Sequence, residues 1–485
     1  MSTNDLNVHR LKPVAGDRSH SRFVHHHLPF LLVDSLAMLC AAAVAVLVRY
    51  ALGGQFEPVF YLRVGLFVFA FIAAFAMVGL YRTVMLHPVM EIRGIFIGTT
   101  FTVLLIGTLT FFERNAGAYS RSILFASWLL IVVFVWLGRA ILRSYLAKLD
   151  WWGVPTVILG TGRTGRQAAR LLKRSPQTGL RVVAMLDDDP SALADLSEFG
   201  PVHFGPLSDA IDLAAIRAIE YAIVAIPHLP SEILGDVIER YASGFHHVVI
   251  IPDLLGISSL DVDARDIGGI LGLTVSHQLL HRLPQATKRS FDLAATCLGG
   301  ALIAPLLCAI YLSVRLTSRG PAFYSQPRIG LNGATFQAWK FRSMVVDSDP
   351  VLHEHLSKNP DAAEEWRRTQ KLKLDPRVTR IGKVLRQASL DELPQLWNFI
   401  RGDMSLVGPR PIVQGEISRY GRKYSLYKKV RPGITGLWQV SGRNNTTYEE
   451  RVAFDEYYVR NWSVWLDLYI LSRTIKVVLM MEGAY

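Results

Sequence analysis

Four long apolar segments take up most of the first 150 residues: roughly Leu28–Val48, Phe60–Leu80, Gly94–Phe112 and Ile123–Leu142. Each approaches the length of about 20 residues that a helix needs to cross a bilayer core. A backbone in lipid must satisfy its own hydrogen bonds, so runs of this kind fold as spanning helices. The connectors are short and rich in turn formers (Gly53, Gly54, Pro58, Pro88, Gly117). Composition agrees, with 51% hydrophobic residues and a mean hydropathy of +0.26. The sequence therefore predicts a membrane α-helical four-span bundle over residues 1–150.

Basic residues orient the bundle. Arg10, Lys12, Arg18 and Arg22 precede the first span, Arg82 and Arg93 lie in the second connector, and Arg143 and Lys148 follow the fourth span. The other side carries only Arg49, Arg114 and Arg121. The N-terminal arm, with His20, His25, His26 and His27, and everything directly after span four are thus expected in the cytosol. The arm lacks the apolar core and cleavage site of a signal peptide. Asp34 and Arg63 lie near span ends and read as structural charges that pair or snorkel. Cys40, Cys297 and Cys308 all lie in apolar segments, which excludes a disulfide framework or a zinc spacing. The net charge of +12 suits anionic lipid or phosphate-bearing substrates. With spans present, no nucleic-acid partner is expected.

Residues 151–284 change character. Strand-like runs at Val154–Leu159, Leu180–Leu186, Tyr221–Ile226 and His247–Ile251 alternate with helical stretches at Arg166–Lys173 and Ser231–Tyr241. That alternation predicts an α/β Rossmann-like middle domain. Gly160, Gly162 and Gly165 form a glycine pattern between strand and helix, and Asp187 follows at the end of the next strand. Such a loop either holds a pyrophosphate at a helix N-terminus, with the acid on a ribose, or only makes a tight turn. Both readings stand. A tethered NAD-dependent nucleotide-sugar dehydratase or epimerase would also need a Tyr-x-x-x-Lys pair, which this domain lacks. Tyr424 and Lys428 have that spacing but lie far along the chain in different surroundings.

Residues 288–318 are apolar again, and two features oppose a fifth crossing. Lys288 and Arg289 precede the segment and Arg315 and Arg319 close it, so both ends favour the cytosol. Pro305 sits inside, where it removes a helix hydrogen bond and forces a bend. The expectation is a re-entrant hairpin, with a kinked span as the alternative.

The last 165 residues are expected to form a mixed α/β, helix-rich catalytic domain, 285–485. Arginines stand beside Gly and Pro turns, a pattern suited to phosphate recognition. Asp391-Glu392 is the centre of interest. A capping box from Ser389 to Glu392 is one reading. It would bury Pro394 too deep in the helix, whereas Pro394 at the first helical position leaves the two acids just outside a helix N-terminus. A catalytic pair is the preferred reading.

The strings Lys340-Phe-Arg342-Ser-Met344, Asp375-Pro-Arg377, Ser389-Leu-Asp391-Glu-Leu-Pro-Gln-Leu-Trp-Asn398, Met404-Ser-Leu-Val-Gly-Pro-Arg-Pro411 and Arg431-Pro-Gly-Ile-Thr-Gly436 resemble the bacterial sugar transferases, the monotopic phosphoglycosyl transferase superfamily. Four spans and a nucleotide-fold domain ahead of them resemble its long, polytopic branch. The stretches Leu437–Asn444 and Gly483–Tyr485 look most like undecaprenyl-phosphate galactose phosphotransferases. The resemblance implies transfer of a hexose-1-phosphate, galactose first and glucose second, from a UDP-sugar to undecaprenyl phosphate. It also implies a covalent phosphosugar on Asp391, release of UMP, and Mg2+ held by Asp391 with help from Glu392. Arg386, Arg410, Arg431 and Arg443 are expected on phosphate or nucleotide, and Lys288 and Arg289 near the lipid phosphate. The implied partners are the UDP-sugar, undecaprenyl phosphate and the lipid bilayer, with a homodimer left open. The implied place is the bacterial inner membrane, with the active site on its cytosolic face. A scaffold that only recruits polysaccharide enzymes is the non-enzymatic alternative, and an acid pair among phosphate-type loops argues against it.

Overall fold

The computed structural model describes residues 27–53, 64–82, 84–112, 121–149, 151–193, 196–217, 219–252, 262–267, 270–275, 279, 282–346, 348–369, 372, 374–441 and 446–480. The chain forms two compact units, Met1–Gly256 and Ile257–Tyr485.

In the first unit, helices α1 (Leu28–Ala51), α2 (Val64–Met77), α3 (Pro88–Phe112) and α4 (Arg121–Leu146) fall in the four apolar segments. Helices α1, α3 and α4 are long and apolar enough to cross a membrane. Helix α2 has 14 described residues. Arg63 and most of the N-terminal arm lie outside the described residues.

The apolar helices close around a polar knot. Arg139 on α4 donates to both oxygens of Asp34 on α1, from Nε at 2.8 Å and Nη2 at 2.6 Å. Its Nη1 reaches Glu91 on α3 at 3.2 Å and the Leu80 carbonyl at 3.1 Å. Arg143, one turn further on, donates to Glu91 at 2.9 Å and to the Leu86 carbonyl at 3.2 Å. Arg143 is therefore paired inside the bundle, not a free charge at the membrane surface. Two acids and two arginines leave the knot neutral, which is what lets it sit among apolar side chains. Asp34 has the structural role expected of it.

The middle of the chain carries β1 (Val154–Leu159), α5 (Arg163–Arg174), β2 (Leu180–Leu186), β3 (His203–Gly205), α6 (Asp209–Arg217), β4 (Tyr221–Val224), α7 (Ser231–Val237) and β5 (His247–Ile250). The strands form one parallel sheet in the order β3-β2-β1-β4-β5. Alternate residues feed cores on its two faces, Val157, Ala184 and Ala222 on one and Ile158, Met185 and Ile223 on the other. Strand β3 and helix α6 were not expected from the sequence; three residues are too few to show a strand period. The α2–α3 connector is fastened to this sheet: Met85 N–H donates to Thr178 O at 2.9 Å and Val84 packs against the second core.

The second unit opens with a hairpin, β6 (Val262–Ile267) and β7 (Ile270–Val275), followed by the 36-residue helix α8 (Arg282–Thr317). The expected break at Pro305 is not an interruption, because α8 is one helix across it. Proline deletes one hydrogen bond and crowds the preceding turn, which bends a helix without ending it. Next come the antiparallel pair β8 (Phe323–Ile329) and β9 (Thr335–Phe341), helices α9 (Ser348–Lys358), α10 (Pro360–Thr369), α11 (Arg380–Gln387) and α12 (Gln395–Arg401), and strand β10 (Ser405–Val407). Strand β11 (Gly433–Thr435) pairs in parallel with β10, and α13 (Leu437–Ser441), α14 (Tyr448–Arg460) and α15 (Val464–Met480) close the chain. Helix α15 buries Leu466, Asp467 and Ile470. It packs as a core helix.

Removing one partner from the knot strands a charge in an apolar setting, at a cost of about 3–5 kcal/mol. Arg139→Met should therefore lower the thermal unfolding midpoint of the full-length protein in detergent. Arg170→Met, which breaks the exposed pair with Glu198, should leave it where it is.

Candidate active site

Four local devices bring the acids to a basic cleft. Thr379 caps α11, accepting from Gly382 N–H at 3.0 Å. Gly382 lies so close to the end of β9 that a Cβ there would be 2.0 Å from the Ser343 carbonyl oxygen. One turn later Arg386 donates from Nε to Ser343 Oγ at 2.8 Å. Ser389 then ends the run in the left-handed region at φ +57°, which turns the chain so that Leu390–Glu392 forms a single 3-10 turn. Ser389 makes no capping bond there, and the capping-box reading fails. Asp391 and Glu392 stand just before α12, as the proline argument requires, but α12 has only seven residues. The positive field at the acids comes from side chains more than from a helix dipole.

The cleft has a volume of about 690 Å³ and is lined by Lys340, Arg342, Arg386, Asp391, Glu392 and Arg410, with Trp438 and Gln439 at its side. Lys340 on β9 donates to Glu392 Oε1 at 2.5 Å. Burial pushes Glu392 up, but the charges of Lys340, Arg410 and Arg328 outweigh it and hold its pKa below the ordinary carboxylate value. Asp391 moves the other way. Burial first, and then the adjacent charge of Glu392, push it up against the pull of Lys340 and Arg386. Two neighbouring carboxylates with pKa values driven apart are what a site with divided roles requires.

Of the expected contact residues, the structure gathers Asp391, Glu392, Arg386 and Arg410 around this cleft. It puts Lys288, Arg289 and Arg431 elsewhere. Lys288 is buried against Asp467 at 2.8 Å and Asp292 at 3.6 Å. Arg289 donates to the carbonyls of Phe399 and Ile400 at 2.9 and 3.2 Å, and Arg431 to that of Gly402 at 2.8 Å. The two arginines thus serve the C-terminal carbonyls of α12, where orphan acceptors collect. Arg443 lies outside the described residues. The glycines of the Met404–Pro411 and Arg431–Gly436 strings have a packing role, since a Cβ on Gly433 would lie 2.1 Å from Gly408 N. Asp375 and Arg377 form their own pair at 2.7 Å.

Curated relatives match over most of the chain. The chain is 36% identical over 415 residues to the undecaprenyl-phosphate galactose phosphotransferase of Salmonella typhimurium, covering 81% of this chain and 82% of the relative. It is 40% identical over 373 residues, 76% of each chain, to the UDP-galactose-lipid carrier transferase of Erwinia amylovora. A UDP-glucose:undecaprenyl-phosphate glucose-1-phosphate transferase of Klebsiella pneumoniae matches at 32% over 337 residues, 67% of this chain and 68% of that one. The bacterial sugar transferase profile matches residues 283–481, and a CoA-binding domain profile matches 76–252. The chain belongs to the bacterial sugar transferase family.

For this sugar transferase, two positions that build the cleft escaped the reading of the sequence. Lys340 was visible in its motif, but only the fold shows that it reaches Glu392. Asn398, 1% exposed, accepts from Trp339 N–H at 3.0 Å and donates to Gln337 O at 2.6 Å, fastening α12 to β9. A polar residue among apolar helix positions was the available signal. In the middle domain, Gly160 takes φ +97° and Gly165 touches the Gly160 carbonyl, as a tight turn needs. Gly162 stands as the N-cap of α5. Asp187 accepts from Thr161 N–H at 2.6 Å, Thr161 Oγ1 at 3.1 Å and Asp189 N–H at 3.0 Å, so both its oxygens are engaged by its own loops. Tyr424 and Lys428 belong to the second unit, where Tyr424 stacks on Tyr427.

Lys340 pulls both acids toward the ionised form. Lys340→Met removes that pull, so any rate that needs ionised Asp391 should lose its acid limb at a higher pH than in the unaltered protein. A pH–rate profile of the two proteins checks the sign.

Proposed function

We propose that this sugar transferase moves galactose-1-phosphate from UDP-galactose to undecaprenyl phosphate at the Asp391–Glu392 cleft, giving UMP and an undecaprenyl-diphosphate-linked sugar. The reading rests on Asp391, whose pKa is raised while Glu392 is tied to Lys340, in a cleft between Arg386 and Arg410. Galactose is put ahead of glucose because the relatives named for it match over more of the chain.

In the first step a carboxylate oxygen of Asp391 attacks the β-phosphorus of the UDP-sugar. The bond from that phosphorus to the bridging oxygen breaks, and UMP leaves with the bond pair. In the second step a phosphate oxygen of the acceptor attacks the same phosphorus, and Asp391 departs as a carboxylate. Splitting the transfer lets a water-soluble and a lipid-soluble substrate use one site in turn. Arg386 and Arg410 hold the phosphate oxygens in place, and Lys340 keeps Glu392 anionic beside them. Mg2+ belongs to this reading: two adjacent carboxylates with substrate phosphates are a donor set that suits it, and it would neutralise the pyrophosphate. Asp391 would hold it, with Glu392 as its neighbour.

The same reading makes all four N-terminal helices spans in the inner membrane, with the cleft on the cytosolic side. Support comes from the fastening of the α2–α3 connector to the sheet that follows α4, since both lie on the side that the basic residues assign to the cytosol. Helix α8 is proposed to enter and leave by one face. Near its start Lys288 pairs with Asp467, and near its end Ile310 and Val314 share a core with Phe341 and Leu385. Between them a Cβ on Gly299 or Gly300 would meet nothing within 4 Å. Ends packed on one body with an open middle suit a bent insertion.

Enzyme with UDP-galactose and Mg2+ but no lipid acceptor should release up to about one UMP per site and then stop. The peptide holding Asp391 should gain the mass of a hexose phosphate. Asp391→Asn should cut the burst by roughly 10^4-fold or more. UMP appearing only with acceptor, and no adduct, would make the transfer direct. A second expectation concerns α8: single cysteines at its two ends should both be labelled from the cytosolic side, and periplasmic labelling of the downstream one would make α8 a crossing helix.

A further inference from the structure

A second concavity opens beside the cleft. It has a volume of about 870 Å³ and is lined by Leu307, Cys308, Tyr311 and Leu312 of α8, Phe323, Trp339 and Phe341 of the β8–β9 hairpin, and the run Leu393–Ile400 at α12. Among the described residues no charged side chain lines it. Its volume lies within the roughly 300–1,000 Å³ of sites that enclose a small ligand. The walls expose large apolar groups, with Trp397 at 57%, Ile400 at 55% and Leu312 at 55%. An exposed patch of this sort marks a surface meant to be covered.

Two observations say by what. Phe323 and Phe341 line both the groove and the cleft that holds Asp391, so the two adjoin across these rings. Leu393 and Pro394, at the groove's inner end, directly follow Asp391 and Glu392 in the chain. The groove's other wall is Leu307–Leu312 of α8, inside the apolar stretch Ile303–Thr317. A stacked aromatic series, Tyr311 on Phe323 at 5.7 Å and Phe323 on Phe341 at 5.3 Å, runs from α8 to the cleft. The groove thus leads from an apolar helix to a carboxylate, a path that fits a ligand with a phosphate head and a long hydrocarbon tail.

We infer that this groove holds the first isoprene units of the polyprenyl phosphate acceptor and presents its phosphate to Asp391. The inference rests on the transfer reaction proposed above and adds the place of the acceptor's chain. It predicts that recognition of the acceptor depends on chain length through the groove, while the first step, which uses no lipid, does not.

The test uses the full-length protein in nanodiscs, with Trp397→Ala and Ile400→Ser. Both side chains are mostly exposed and neither lines the cleft. The acceptor-free UMP burst should match the unaltered protein. The KM for undecaprenyl phosphate should rise about tenfold, and KM for a two-isoprene phosphate much less, so that the preference for the long chain shrinks. A normal burst with unchanged KM for the long acceptor overturns the groove and leaves the transfer reading intact. No burst from the unaltered protein overturns the transfer reading itself. As a check on folding, undecaprenyl phosphate with a diazirine on its second isoprene unit should label Trp397–Ile400 or Tyr311–Leu312 in the unaltered protein. Equal labelling by a diazirine-bearing phospholipid acyl chain would make the groove a bilayer contact and overturn the inference.

Discussion

The register between strand β9 and helix α12 governs everything in the cleft, and one buried amide sets it. Asn398 accepts a hydrogen bond from the backbone N–H of Trp339 and donates one to the carbonyl of Gln337. Lys340 is the next residue on that strand, and Asp391 and Glu392 lie just ahead of that helix. With the two elements clamped, the 2.5 Å contact between Lys340 and Glu392 follows. An aspartate at this position would offer acceptors only and could not bond the Gln337 carbonyl. The clamp is itself supported from the far end of α12, where Arg289 and Arg431 occupy the carbonyls of Phe399, Ile400 and Gly402. Cations expected on phosphate thus hold the helix that follows the acids.

That division of labour among basic residues explains where the sequence was readable and where it was not. The long apolar helices, the parallel sheet and the place of the acid pair before a helix each rest on a local pattern: a run of apolar residues, a strand–helix alternation, a proline that fixes a helix start. Those patterns survive folding because nearby chain decides them. The task of an arginine does not, since it depends on which carbonyl or carboxylate the fold brings within about 3 Å. Arg386 and Arg410 came to the cleft; Lys288, with the same chemistry on offer, went to Asp467. Arg139 could not be seen either. It lies near the C-terminal end of an apolar run, and only the packing of α1 and α3 against α4 shows that it meets Asp34 and Glu91.

The glycine-rich loop of the middle domain makes the same point from another side. Its pattern announced a turn between strand and helix, and the φ of Gly160 and the contact at Gly165 provide one. The acid that would meet a ribose is bonded to Thr161 and Asp189 instead. A fold can keep the turn of a nucleotide site while its acid serves the loop, because the geometry that admits a phosphate is also the geometry that lets a helix start close to a strand.

The cleft and the groove place two kinds of solvent on either side of one wall. Phe323 and Phe341 face arginines and carboxylates on one side and an apolar channel on the other. A site that bound both substrates together would have to keep a hydrated nucleotide pyrophosphate and a hydrocarbon chain in place at once, with each desolvating the other's surroundings. A covalent intermediate on Asp391 removes that conflict, since UMP can depart before the lipid phosphate arrives. The raised pKa of Asp391 bears on the same point. Burial that disfavours its charge also makes the ionised carboxylate a more basic and better attacking group, and Glu392, kept anionic by Lys340, sustains that push.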